Sequence, residues 1–212
     1  EWMTDWLHAM KLKNIILICQ DWGGLIGMRL VAAAPELFAR VVTSNTMLPT
    51  GDHHPGEAFL KWRKYSQEIP VFPVGQIVNS GSVSELTEAE MAAYDAPFPD
   101  ETYKEGARQF PTLVPITPDN PESQPNREAW KTLMCFDKPW LCAFGDSDPI
   151  TGAAAPVIQK LVPGCQGQPH TTLKGGGHFI QEDCGEELCR VVLDRSEEHT
   201  SELQSPDHLV CR

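Results

Sequence analysis

An α/β fold, with a mostly parallel sheet flanked by helices and an inserted helical segment, is the class this sequence predicts. Three observations lead there. Short apolar, β-branched runs alternate with stretches of helical spacing toward both ends of the chain, which is the pattern of βαβ units. Between about residues 50 and 115 that rhythm stops, and prolines, aromatics and polar residues alternate instead. Asp21, Asn45, Asp148 and His178 each follow a predicted strand. Functional groups of parallel sheets gather at those carboxyl ends.

Taken in order, residues 1–7 read as amphipathic helix, with no initiator methionine in front of them. Residues 14–19 are fully apolar after Asn14 and read as a buried parallel strand. Gly23, Gly24 and Gly27 follow, then helical spacing through Met28, Leu30 and Val31 to Ala34, and Pro35 closes the unit. Residues 38–43 form a second strand that ends at Ser44 and Asn45. In the middle stretch, residues 57–65 predict a helix, and another starts at Thr87-Glu88-Ala89-Glu90 with a capping signal at Ser84 or Thr87. The strand–helix rhythm resumes with a helix over 126–136, a strand over 139–144, a loop at 145–149 and a helix over 156–161. A short strand at 170–173 precedes Gly175-Gly176-Gly177-His178, and a last helix runs from about 182 to 192. The expected organisation is a core in two parts, 1–49 and 116–194, a cap over 50–115, and a tail over 195–212.

The tail has no apolar periodicity. It resembles the translation of a common sequencing adapter and is set aside from fold reasoning, the alternative being a natural disordered tail. On either view His199, His208 and Cys211 carry no function.

The 212 residues suffice for one domain with a sizeable insertion, and the apolar share of 41% is ordinary. A formal net charge of −12 speaks against nucleic acid and against an anionic membrane surface as partners. No apolar run reaches the length of a membrane span. The seven cysteines, at 19, 135, 142, 165, 184, 189 and 211, form no CxxC pair, so neither a zinc site nor a thioredoxin-like motif is indicated. A reducing, cytoplasmic setting fits them, with several acting as small core residues.

Cys19-Gln20-Asp21-Trp22-Gly23 stands between a buried strand and a helix, the place of a nucleophile elbow. Small residues are expected two places before and after the nucleophile, which Cys19 and Gly23 supply. The residue on the turn is an aspartate, and that points to the chemistry. A serine attacking saturated carbon would form an ether, which water does not readily cleave. A carboxylate forms an ester, which can be hydrolysed at its own carbonyl. An alkyl electrophile with a leaving group, a haloalkane or an epoxide, is the substrate class this implies. Hydrolysis needs a base with an orienting acid. His178 on its glycine-rich loop and Asp148 in the preceding loop complete the order nucleophile, acid, base. Asp146 is the competing acid. Asp21 read on its own could instead be a helix N-cap.

Gln20-Asp21-Trp22-Gly23-Gly24 resembles the elbow of the haloalkane dehalogenases, members of the α/β-hydrolase superfamily. Phe59-Leu60-Lys61-Trp62, Thr87-Glu88-Ala89-Glu90 and Ala96-Pro97-Phe98-Pro99-Asp100 resemble the cap of the subfamily with two halide-binding tryptophans. The resemblance covers nearly all of residues 1–194. It implies an α/β-hydrolase fold with a helical cap, Asp21, Asp148 and His178 as catalytic residues, and Trp22 and Trp62 as halide donors. It also implies Phe59 and Phe98 at the substrate cavity, no metal or organic cofactor, and a monomer acting on a small haloalkane with water. In related subfamilies the acid is a glutamate after an earlier strand. Asn45 stands near that place, which favours Asp148. The resemblance further implies that the amino-terminal strands of the fold and their His-Gly-x-Pro loop are missing, so the chain as it stands is expected to be inactive or aggregation-prone.

Two rival readings remain open. An epoxide hydrolase shares the aspartate elbow but needs two cap tyrosines, and Tyr65, Tyr94 and Tyr103 are the candidates. A non-catalytic hydrolase-fold binding protein would not need all of Asp21, Asp148 and His178. Trp22, Trp62 and His178 could also be packing residues, Phe110 reads as core or cavity lining, and His53, His54 and His170 read as solvated loop residues.

Overall fold

Four parallel strands, β1 (Ile15–Gln20), β2 (Phe38–Ser44), β3 (Trp140–Gly145) and β4 (Thr171–Leu173), lie side by side in that order. The computed structural model describes residues 2–203. Helices α1 (Trp2–Ala9) and α2 (Trp22–Ala33) flank β1 in the chain, and α7 (Ser123–Leu133), α8 (Ala155–Leu161) and α9 (Ile180–Leu203) accompany β3 and β4. Between β2 and α7 are inserted α3 (Glu57–Glu68), α4 (Val74–Gly81), α5 (Glu88–Asp95) and α6 (Glu105–Leu113).

Alternation along β3 divides the core. Trp140, Cys142 and Phe144 pack with Met28 and Val31 of α2, Leu133 of α7 and Ile158 of α8. Ala143 belongs to a second cluster with Leu173, Ile180 and Cys184 beneath α9. Each such fully buried large side chain contributes about 1.5–3 kcal/mol. The register sets Gln20 against Ser44 and Gly145 against Leu173, so the loops that follow all four strands emerge at one end of the sheet.

Several expectations are corrected. The predicted buried strand is an edge: among the described residues β1 pairs with β2 alone, and Ile18 is 52% exposed. Leu17 and Cys19 face α2, where Gly27 lets them come close, whereas the alternate residue Ile18 points to the other face. α4 and α6 were not foreseen. Both are short, α6 carries Pro111 inside it, and α4 is positioned by packing on α5, where a Cβ at Gly75 would stand 2.4 Å from the Met91 carbonyl. The last helix extends to Leu203, past the predicted end at 192, with non-helical backbone at Cys184. Helix propagation adds a hydrogen bond for each residue fixed, so the polar run after 194 extends a helix it would not nucleate. His208 and Cys211 lie outside the described residues. Cys19, Cys142, Cys165 and Cys184 are buried and free, as small core residues would be. No helix of the described residues is long and apolar enough to cross a membrane.

Candidate active site

β1 ends at Gln20 and α2 begins at Trp22, so Asp21 alone turns the chain. Its backbone lies at φ 45° and ψ −123°. For a residue with a Cβ this region costs about 1–3 kcal/mol and persists where the surroundings hold it. The Asp21 N–H donates to the Asn45 carbonyl at 3.0 Å, and its carbonyl accepts from the Gly24 N–H at 2.9 Å. The Thr46 hydroxyl donates to the same carbonyl at 2.7 Å. Asp21 occupies the N-cap position of α2, yet its side chain makes no capping bond and is 42% exposed. The carboxylate is therefore free of the helix and open to a ligand. Close packing at the turn falls on a different glycine from the one expected. A Cβ at Gly24 would sit 1.9 Å from the Thr46 hydroxyl oxygen, whereas one at Gly23 would make an ordinary 3.9 Å contact with Cys19.

Two loops converge on Asp21 from β3 and β4. Ser147 N–H donates to the Gly176 carbonyl at 2.9 Å and Asp146 N–H to the Leu173 carbonyl at 3.1 Å. Gly145 permits this approach, since a Cβ there would lie 2.2 Å from the Gly176 carbonyl. His178 then places Nδ1 3.2 Å from Asp148 and Nε2 3.5 Å from Asp21. Asp148 is the acid in contact, its side chain fully buried, while Asp146 is exposed and accepts from Ser147 and Gly175. The Asp148 carboxylate also accepts from the Ile150 N–H at 2.9 Å, the Thr151 N–H at 3.2 Å and the Thr151 hydroxyl. Burial works against its charge, but the His178 hydrogen bond and charge, together with the Thr151 and Ile150 hydrogen bonds, outweigh burial and hold the carboxyl below its usual range. Burial likewise disfavours charged His178, yet hydrogen bonds and charge from Asp148 and Asp21 raise it from 6.5 to about 9.

The inserted helices meet this loop at the end of α4. His178 N–H donates to the Gly81 carbonyl at 2.8 Å. Asp183, at the start of α9, accepts from Gly177 N–H at 2.7 Å and from Val83 and Ser84 N–H at 3.0 and 2.8 Å. Tyr94 of α5 donates to Glu182 beside it. Asp183 was not singled out in the sequence, and an exposed-looking acidic residue in a predicted helix offers no signal there.

The aromatic residues divide. Trp22 follows Asp21 directly, and its ring lies 4.8 Å from that of Phe110 on α6. Trp62 on α3 packs against Phe72 and Tyr65, at 6.0 and 6.1 Å between centroids, within the inserted helices. Phe59 is buried on α3, and Phe98 sits in the turn after α5. A groove beside Trp22 is lined by Trp22, Leu25, Ile26 and Arg29 of α2 together with Trp2 and Pro115. His53 and His54 are exposed, as read from sequence. His170 is not a solvated residue: its ring nitrogens meet the Cys142 N–H and the Cys165 carbonyl, both at 3.0 Å, and burial lowers its pKa. Among the described residues no cluster of His, Cys, Asp or Glu could hold a metal ion.

Residues 1–183 match the alpha/beta hydrolase fold family. The chain is 56% identical over 192 residues to a haloalkane dehalogenase of Psychrobacter cryohalolentis, covering 91% of this chain and 63% of that one. It is 45% identical over 193 residues to haloalkane dehalogenase 1 of Mycobacterium bovis, covering 91% and 64%. The chain thus spans a little under two thirds of the length of these curated relatives. Among solved structures, the tetrameric haloalkane dehalogenase DpaA of Paraglaciecola agarilytica NO2 superposes with a TM-score of 0.77 at 28% identity, covering 85% of this chain and 60% of that one.

Proposed function

Because the chain belongs to the α/β-hydrolase fold family, we propose that it is built for the hydrolytic dehalogenation of haloalkanes through an Asp21 ester. The observation that carries this reading is an aspartate, not a serine, on the strained elbow, with His178 Nε2 3.5 Å from its carboxylate. In the first step an Asp21 oxygen forms a bond to carbon as the carbon–halogen bond breaks, and the halide leaves with the bonding pair. The indole N–H groups of Trp22 and Trp62, donors without lone pairs to repel an anion, receive it. Residues 50–115 act as the cap that brings Trp62, Phe59 and Phe98 to the substrate. In the second step His178, oriented by Asp148, takes a proton from water as the oxygen adds to the ester carbonyl. Collapse frees the alcohol and restores the Asp21 carboxylate, and the proton leaves from His178.

The electrostatics support that order. Asp21 supplies part of what holds His178 at about 9. Esterification removes that charge and hydrogen bond, so the imidazole pKa falls and more of it stands neutral, able to accept the proton of water, once there is an ester to hydrolyse. The reading includes a monomer in the cytoplasm. Sedimentation at micromolar concentration checks the first, and a tetramer, the state of the relative DpaA, would replace it.

The test is halide release from 1-bromobutane and 1,2-dibromoethane by the chain with the amino-terminal segment of a curated relative joined to it, beside Asp21→Asn in the same background. Turnover that drops on the order of 10⁴-fold in the variant is the expected result. Diol formed from styrene oxide without halide release would move the assignment to an epoxide hydrolase. Silence in both assays from folded protein would favour a binding protein.

A further inference from the structure

Asn45 follows β2 at φ 38°, a left-handed conformation that asparagine tolerates better than most residues. It is fully buried. Its main-chain carbonyl holds the Asp21 N–H. Its side-chain Oδ1 accepts the Gly145 N–H at 2.8 Å, at the start of the loop that carries Asp148. Its Nδ2 donates to the Gly177 carbonyl at 2.6 Å and the His178 carbonyl at 3.2 Å. Gln20, just before the elbow, donates Nε2 to the same His178 carbonyl at 3.0 Å. Asn45 therefore touches the main chain of all the segments that bear Asp21, Asp148 and His178.

We infer that Asn45, assisted by Gln20, is a positioning residue that fixes His178 Nε2 against Asp21 and so sets the rate of the ester-hydrolysis step. The inference rests on the proposed roles of Asp21 and His178. A carboxamide suits the place because its partners are one N–H and two carbonyls, and a neutral side chain that both accepts and donates twice is needed to meet them. A carboxylate there would keep the acceptor and lose the donors. The partners lie on His178 itself and on its neighbour, so a change at Asn45 reaches the imidazole through the backbone. A displacement of about 1 Å can cost on the order of 10²-fold in rate. Displacement of halide needs Asp21 and not His178. The bond that holds the Asp21 N–H comes from the Asn45 main chain, which substitution retains.

Asn45→Asp, nearly isosteric and tolerant of the same backbone, separates the two steps. The expected result is a halide burst at the parental rate followed by steady-state turnover slowed on the order of 10²-fold. Gln20→Met, at a half-buried position, keeps the test alive if Asn45→Asp does not fold, with the same pattern at about tenfold by the same reasoning. Gln20→Met also leaves the charges facing His178 unchanged, namely Asp148 from the β3 loop and Asp21 from the elbow, with the neutral Gly81 carbonyl on the α4 side. Its His178 titration by NMR should fall from about 9 toward 6.5 as the imidazole drifts from Asp21. Equal slowing of burst and steady state, or an unchanged steady state with an unmoved titration, overturns the inference. If the parent releases no halide while the titration still falls in Gln20→Met, the dehalogenase reading fails and the brace stands.

Discussion

Around Asp21 the parts of the site are tied main chain to main chain and by the neutral side chains of Asn45, Gln20 and Thr46, whereas in the inserted helices the ties run from charged side chains to carbonyls. At the sheet end, Ser147 meets Gly176, Asp146 meets Leu173 and Asp21 meets Asn45 through backbone groups. In the insertion, the Arg108 guanidinium reaches the carbonyls of Ser66, Ile69 and Pro70 and the Glu101 carboxylate. Lys104 joins the Phe72 carbonyl to Glu101. The Lys104 hydrogen bond is the main reason the Glu101 carboxyl is held at about 2. Backbone ties inherit the register of the sheet, and a single substitution reaches them mainly where a neutral side chain such as Asn45 or Gln20 joins them. Side-chain ties can be lost one residue at a time. Chemistry that depends on a 3.5 Å separation sits on the first kind, and the helices that would enclose a substrate are held by the second.

That contrast can be broken at several points. The largest effect is expected from Asp148→Asn, which keeps the buried shape but removes the charge beside His178. Steady-state turnover should fall by about 10²–10⁴-fold in the halide assay while a first burst of halide survives. Next comes pH. The folded pKa of His178 is raised, so its contribution to stability is fully present below 6.5 and is lost as pH rises through about 9. Denaturant titrations between pH 6.5 and 9 should show a decline of at most about 3 kcal/mol, absent in His178→Gln. A single methyl group probes the elbow: Gly24→Ala should destabilise by about 1–3 kcal/mol because Thr46 must move, and Gly23→Ala should be nearly silent in the same melts. The smallest change is expected from Arg108→Met. It should cost about 1–2 kcal/mol of stability through lost charged hydrogen bonds and leave the halide burst intact, as ties confined to the insertion would.

The places of Asp21, Asp148 and His178 after their strands were legible because each is a local pattern: a β-branched strand, a turn with glycines beside it, a charged or imidazole side chain on the turn. The Thr87 cap was legible for the same reason, and it forms with the reciprocal Glu90 bond. The Asp183 latch and the Asn45 brace were not, since their partners are main-chain groups about a hundred residues away that no periodicity marks. α6 was hidden by Pro111, which lowers helix propensity, while packing on α3 and the Arg108 contacts retain the helix.

By itself the sequence determined the strand–helix alternation, the aspartate on the turn and hence the kind of bond it could attack, because these depend on residue type and short spacing. Tertiary structure alone decided that Gly24 and not Gly23 is the glycine the turn requires, and that β1 exposes Ile18. Each of those depends on which distant backbone lies within about 4 Å, and that distance is set when the sheet and its loops pack together.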